Sequence, residues 1–117
     1  VVQQGARKTL SAALTAIEQS SLAGHGYLCG DSVTLADLAA YVEIGQLQPQ
    51  FTNVFDFSPY PNVQRWLTRM QQVAGHDAVH VVLAELGDIS QAAPDMDQIR
   101  AANIKALQAL KLELSRL

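Results

Sequence analysis

The segment Gly30-Asp31-Ser32-Val33-Thr34-Leu35-Ala36-Asp37-Leu38 dictates where one helix must begin. Thr34 is an N-cap candidate, its hydroxyl placed to accept from the backbone N–H of Asp37. The Asp37 carboxylate can reach back to the N–H of Thr34, a capping box with Asp in the position more often held by Glu. Val33 before the cap and Leu38 at N4 have the spacing of a hydrophobic staple. Asp37 also sets negative charge at the positive end of the helix dipole. From Thr34 the apolar pattern continues to about Leu47, and Pro49 ends it. Leu35, Leu38, Ala39 and Val42 form one stripe; Ala36, Ala40, Tyr41 and Ile44 widen it. A helix apolar on both faces belongs inside a body, so this one is expected at the centre of the fold. On local terms alone, Asp37→Ala should cost about 0.5–2 kcal/mol.

The remaining chain reads as further helices. From about Gln3 to Ser20, Ala6, Leu10, Ala13, Leu14 and Ile17 recur at helical spacing, with Arg7, Lys8, Thr15 and Glu18 on the opposite, solvent side. A loop of small residues, Ser20 to Gly26, separates this helix from the apolar strip Tyr27-Leu28-Cys29. Gln50 to Ser58 carries Phe51, Val54, Phe55 and Phe57 and is expected to pack down on the core. Pro61 suits a first helical turn, and Val63, Trp66, Leu67 and Met70 follow at i, i+3, i+4 and i+7. A fourth helix is expected from about His76 to Leu86, with Gly87 as its cap. A fifth runs from about Asp95 to Arg116, acidic in its first turn. In it Leu107, Leu110, Leu114 and Leu117 have heptad spacing, the seam of a packed helix pair. That seam is expected to lie on the domain's own core, with pairing to a second copy as the alternative. No segment alternates at period two long enough for a sheet, so the fold class is all-α, one helical domain over residues 1–117.

Composition narrows the functions. Hydrophobic residues make up 49% and charged residues 16%, a globular balance. A net charge of −3 with dispersed basic residues provides no footprint for nucleic acid or an anionic membrane. One cysteine, Cys29, excludes an internal disulfide framework and fits a reducing, cytoplasmic setting. No apolar run approaches the ~20 residues of a membrane span. The first residue is Val, so the chain is expected to be a fragment, a processed product or an excised domain.

Candidates for chemistry are few. His76 and His80 share a helix face at i, i+4, as in zinc-binding helices, but Asp77 follows His76 where such motifs place Glu, and no third ligand is marked. His25 lies in a Gly-flanked loop and reads as solvated. Cys29 has no neighbouring cation to favour its thiolate and reads as a small buried hydrophobe. Asp37 is accounted for by capping, and Glu43 faces either a cleft or solvent. These residues assemble no catalytic or metal site.

The run Tyr27-Leu28-Cys29-Gly30-Asp31-Ser32-Val33-Thr34-Leu35-Ala36-Asp37, followed by Pro61-Asn62-Val63-Gln64-Arg65-Trp66-Leu67, resembles the C-terminal helical domain of the glutathione transferase superfamily. The Gly75 to His80 stretch and the tail through Leu117 are most similar to theta-class members. The resemblance implies a right-handed helical bundle with the capped helix buried at its middle. Thr34 and Asp37 correspond to the family's capping box, and Val33 and Leu38 to its staple. It implies that the domain forms the wall of a hydrophobic electrophile site. Glutathione would be bound, and the catalytic Ser, Tyr or Cys supplied, by a preceding thioredoxin-like domain. The residues from Val1 onward are expected to begin at the family's second C-terminal helix, without that domain or the first helix. No catalytic residue therefore carries over, no cofactor is expected in this chain, and it should be inactive alone. Similar helical domains in the gamma subunit of the translation elongation factor complex and in aminoacyl-tRNA synthetase assemblies imply an alternative, a non-catalytic protein–protein interaction module. The partner would be the thioredoxin-like domain, another helical subunit, or a second copy through the last helix.

Overall fold

A computed structural model describes residues 2–117, with side chains from Gln4 onward, and its regular structure is helical. Six α-helices follow in order: α1 Val2–Ala16, α2 Leu35–Ile44, α3 Pro61–Met70, α4 His76–Val79, α5 Val81–Leu86 and α6 Met96–Leu114. A π-turn, Ile17–Ser21, continues α1, and a 3₁₀ turn, Gly45–Leu47, continues α2. Among the described residues there is no strand; a single bridge joins Tyr27 to Gly30.

The core gathers Leu14, Leu22, Tyr41, Phe57, Val63, Trp66, Leu67 and Met70, with Leu10, Ile17, Ile44 and Phe55 packed against it. It draws on α1, α2, α3 and the loop before α3, which is therefore packed down as the aromatic content predicts. The α3 helix buries all four of its i, i+3, i+4, i+7 residues. In α1 the stripe is narrower than its pattern suggests, because Ala6 and Ala13 are exposed.

Glu18 is not a solvent-face residue. The π-turn swings it toward α3, where Oε1 accepts from the N–H of Asn62 and Oε2 from the N–H of Val63, both at 2.8 Å. A carboxylate thus occupies the positive end of α3 and satisfies two orphan donors. Nothing local in sequence marks this cap, since the two partners lie some 44 residues apart.

At the start of α2, Thr34 and Asp37 are joined through the Asp37 carboxylate, and the Thr34 side chain makes no cap hydrogen bond to the backbone. Asp37 Oδ2 accepts from the Thr34 N–H at 2.9 Å and from the Thr34 hydroxyl at 3.2 Å. Its other oxygen, Oδ1, accepts from the Leu28 N–H at 2.9 Å and the Trp66 indole N–H at 2.8 Å. The carboxylate is fully buried. Burial would raise its pKa, but the four donors outweigh that and hold it below its ordinary value. Asp37 therefore joins the loop at Leu28, the start of α2 and the middle of α3.

The stripe Leu35, Leu38, Val42 does not point inward, contrary to expectation. These residues are 80%, 44% and 55% exposed, and α2 meets the core through Asp37, Ala40, Tyr41 and Ile44. Val33, also 44% exposed, and Leu38 stay at the surface, so a clamp between them buries neither. The reason is depth. The body measures 42 × 40 × 18 Å between Cα extremes, room for two helix layers and no third over the outer face of α2. Cys29 is likewise exposed and not a buried hydrophobe, because the turn closed by the Tyr27–Gly30 bridge directs Tyr27 and Leu28 inward and leaves Cys29 outside.

The leucine seam of α6 is also not where its spacing would put it. The helix packs on α4 and α5, but through Ala102 and Ala106, flanked by Ile99, Ala109 and Leu110. Leu107, Leu114 and Leu117 are 58%, 64% and 100% exposed. Small side chains allow the helix axes to approach closely, and the Lys105–Glu85 ion pair at 2.8 Å fixes α6 against α5. Of the seam, Leu110 borders the packed face and the other three leucines are left on the outer side.

Candidate functional site: an apolar cleft with an imidazole floor

The open face of α2 continues into a cleft of about 300 Å³ between α2, the end of α3 and α4. Leu38, Val42 and Val79 form its rim; Met70 and Val73 form its wall. Tyr41, His76 and His80 also line it, and all three are buried. Such a volume is at the lower end for small-molecule sites, and its lining has their usual character, apolar with a few converging polar groups.

Two glycines place the floor. Gly75, at φ +82°, turns the chain in a left-handed conformation and directs His76 inward as the first residue of α4. Gly45 lies flat against the Tyr41 ring, where a Cβ would come within 2.9 Å of it. The break at His80 between α4 and α5 lets both imidazoles turn to the same side. Their rings stack at 4.2 Å and 16°, with Tyr41 and Phe51 packed around them.

Hydrogen bonding orders the protons in this cluster. His76 Nδ1 lies 2.8 Å from an Asp77 carboxylate oxygen, which only accepts, so that nitrogen carries a hydrogen. In the neutral imidazole Nε2 is then the acceptor for the Tyr41 hydroxyl at 2.7 Å. Gln48 Nε2 donates in turn to the Tyr41 oxygen at 3.4 Å. The result is a line running from Tyr41 through His76 to exposed Asp77. Burial, together with the Asp77 charge, keeps the Tyr41 phenol protonated by raising its pKa, and the Gln48 bond offsets this only partly. Tyr41 is thus a held donor and not a ready phenolate nucleophile.

The histidine pair does not form a metal-binding face. Both nitrogens of His76 are engaged, and His80 Nδ1 donates to the His76 carbonyl at 2.7 Å. Among the described residues no group of three or more His, Cys, Asp or Glu side chains converges. His25 faces solvent near Asp31 at 3.6 Å, and Glu43 is exposed. The structure brings together Tyr41, Gln48, His76 and His80, while Thr34 and Asp37 belong to a separate cluster around Trp66. In the sequence, His76 and His80 are marked only as metal-ligand candidates. The i, i+7 spacing of Tyr41 and Gln48 is the one local signal for the other half of the site.

An all-helical body with a capped α2, and Trp66 bonded to the capping carboxylate, accompanies a direct match to a known family. Residues 2–73 fit the family model described as glutathione S-transferase, C-terminal domain. The chain belongs to this family. The match covers α1, α2 and α3 of this glutathione transferase C-terminal domain and ends where the cleft's α4 wall begins. No solved structure matches the chain. Among the described residues no helix is long and apolar enough to cross a membrane.

Proposed function

We propose that this is the helical domain of a theta-like glutathione transferase, and that its open α2 face and adjoining cleft supply the apolar wall of an electrophile site. The observation that carries the reading is the exposure of Leu35, Leu38 and Val42 beside an apolar cleft, on a helix within the matched segment. Contiguous exposed apolar surface at this scale marks a binding or packing face. The theta-class assignment is supported by the similarity of Gly75 to His80 and of the tail. Glutathione and the catalytic residue belong to a thioredoxin-like domain, which is also the packing partner. The chain by itself is inactive.

The test uses this chain. An environment-sensitive apolar dye, anilinonaphthalene sulfonate, should bind saturably, and Leu38→Glu with Val42→Glu should abolish that binding without lowering Tm, because both side chains are already half exposed or nearly so. Glutathione titrated by calorimetry should give no binding heat. Micromolar glutathione affinity, or dye binding untouched by the double variant, would overturn the reading.

A second reading is favoured by α6. Its outer face presents Ile104, Leu107 and Leu114 at 58%, 58% and 64% exposure, a stripe suited to another helix. On that reading the chain is a non-catalytic interaction module, and a second copy is its simplest partner.

A further inference from the structure

The cleft contains one polar atom that the fold leaves unused. His80 is only 8% exposed and lines the cleft. Its Nδ1 lies 2.7 Å from the His76 carbonyl oxygen, and a carbonyl cannot donate, so Nδ1 carries the hydrogen. In the neutral ring Nε2 is then a bare acceptor. Among the described residues Nε2 has no hydrogen-bond partner, whereas every side-chain nitrogen and oxygen shut off from solvent has one. Nε2 is therefore not shut off from solvent, and the cleft is the cavity that His80 lines. The ring is held in place by the His76 carbonyl at Nδ1, by stacking on the His76 ring and by Phe51 packed beside it.

The other polar groups nearby are satisfied. The Tyr41 hydroxyl donates to His76 Nε2 and accepts from Gln48, and His76 Nδ1 donates to Asp77. The walls, Leu38, Val42, Met70 and Val79 among them, provide no further polar side chain. A ligand that fits must be apolar over most of its surface, and to match the floor it must bring a donor. A charged ligand would find no counter-ion inside, and a ligand with only acceptors would meet the lone pair of Nε2.

We propose that the cleft binds small, neutral, aromatic or aliphatic molecules bearing one hydroxyl or N–H, which donates to His80 Nε2. The proposal rests on the reading of the cleft as an apolar binding wall and adds the chemical class that it selects. It makes His80 a specificity-determining residue: it ranks ligands of equal shape by whether they carry a donor.

Phenol and its methyl ether, anisole, are the probes, with affinities measured by NMR titration on the intact chain. Phenol should bind about tenfold more tightly than anisole, the upper part of what one net hydrogen bond provides. The ¹⁵N resonance of His80 Nε2 should move on adding phenol and not on adding anisole. In His80→Phe, which keeps a ring for the stack, phenol should lose its advantage while anisole binding persists. Equal binding of phenol and anisole by the native chain would overturn the proposal while leaving the apolar cleft intact as a site. Absence of saturable binding by either probe would overturn both. The comparison on the native chain needs no variant, so it decides the matter even if His80→Phe misfolds.

Discussion

Asp37 shows how much one side chain can do when its partners come from three segments. As a local cap it would be worth about 0.5–2 kcal/mol. In the fold it also accepts from the part-buried Leu28 N–H and the buried Trp66 indole. Removing it strands buried donors, each costing about 1–3 kcal/mol. Asp37→Ala should therefore destabilise by about 3 kcal/mol or more in urea unfolding, with Asp37→Asn costing less because it keeps an acceptor oxygen. A loss under about 1 kcal/mol would show that the Trp66 and Leu28 bonds contribute little. The cap is legible in the sequence, because its partners lie within four residues. The indole bond is not, because Trp66 lies 29 residues away and its periodicity marks it only as core. His80 gives a second residue-scale expectation. Burial lowers its pKa below 6.5, and the His76 carbonyl bond and the Asp77 charge counter this only in part. Between its folded value and 6.5 the unfolded chain binds the additional proton, so stability is complete above 6.5 and declines as the pH falls toward the folded value. Tm measured from about pH 7.5 down to about 5 should drop, and His80→Phe should flatten that slope.

At the scale of elements, period tells which segments are helical but not always which face turns inward. In α3 the two agree, because the amphipathic contrast between Val63, Trp66, Leu67, Met70 and the polar Arg65, Thr68, Arg69 is strong. In α2 the contrast is nearly absent, since apolar residues surround the helix, and the choice falls to Asp37 and Tyr41, which find the Trp66 indole and the His76 ring as buried partners on the inner side. In α6 the leucine spacing suggests a seam, whereas close approach to α4 and α5 selects the smaller Ala102 and Ala106. The Glu18 cap is hidden for a related reason: it exists only because a π-turn rotates the end of α1 toward α3. The exposed α6 stripe has a direct consequence for the interaction reading. If it pairs with a second copy, sedimentation velocity should show a concentration-dependent dimer, and Leu107→Gln with Leu114→Gln should return it to monomer with little change in Tm. A monomer at every concentration would remove that reading.

The whole molecule is a two-layer slab, 18 Å through its thin axis, with a radius of gyration of 15.5 Å against about 13 Å for a compact chain of similar length. A body this thin gives α2 an inner face and an outer one. The inner face holds the Asp37 and Tyr41 networks; the outer one, with Leu35, Leu38 and Val42, borders the cleft over His76 and His80. On the proposed function, this outer surface is where the domain meets what it works on. Toluene titrated into ¹⁵N-labelled protein tests this most directly. The predicted result is amide shifts confined to Leu38–Val42 and Met70–His80, saturating together; shifts gathered on the outer face of α6, or scattered without saturation, would contradict it.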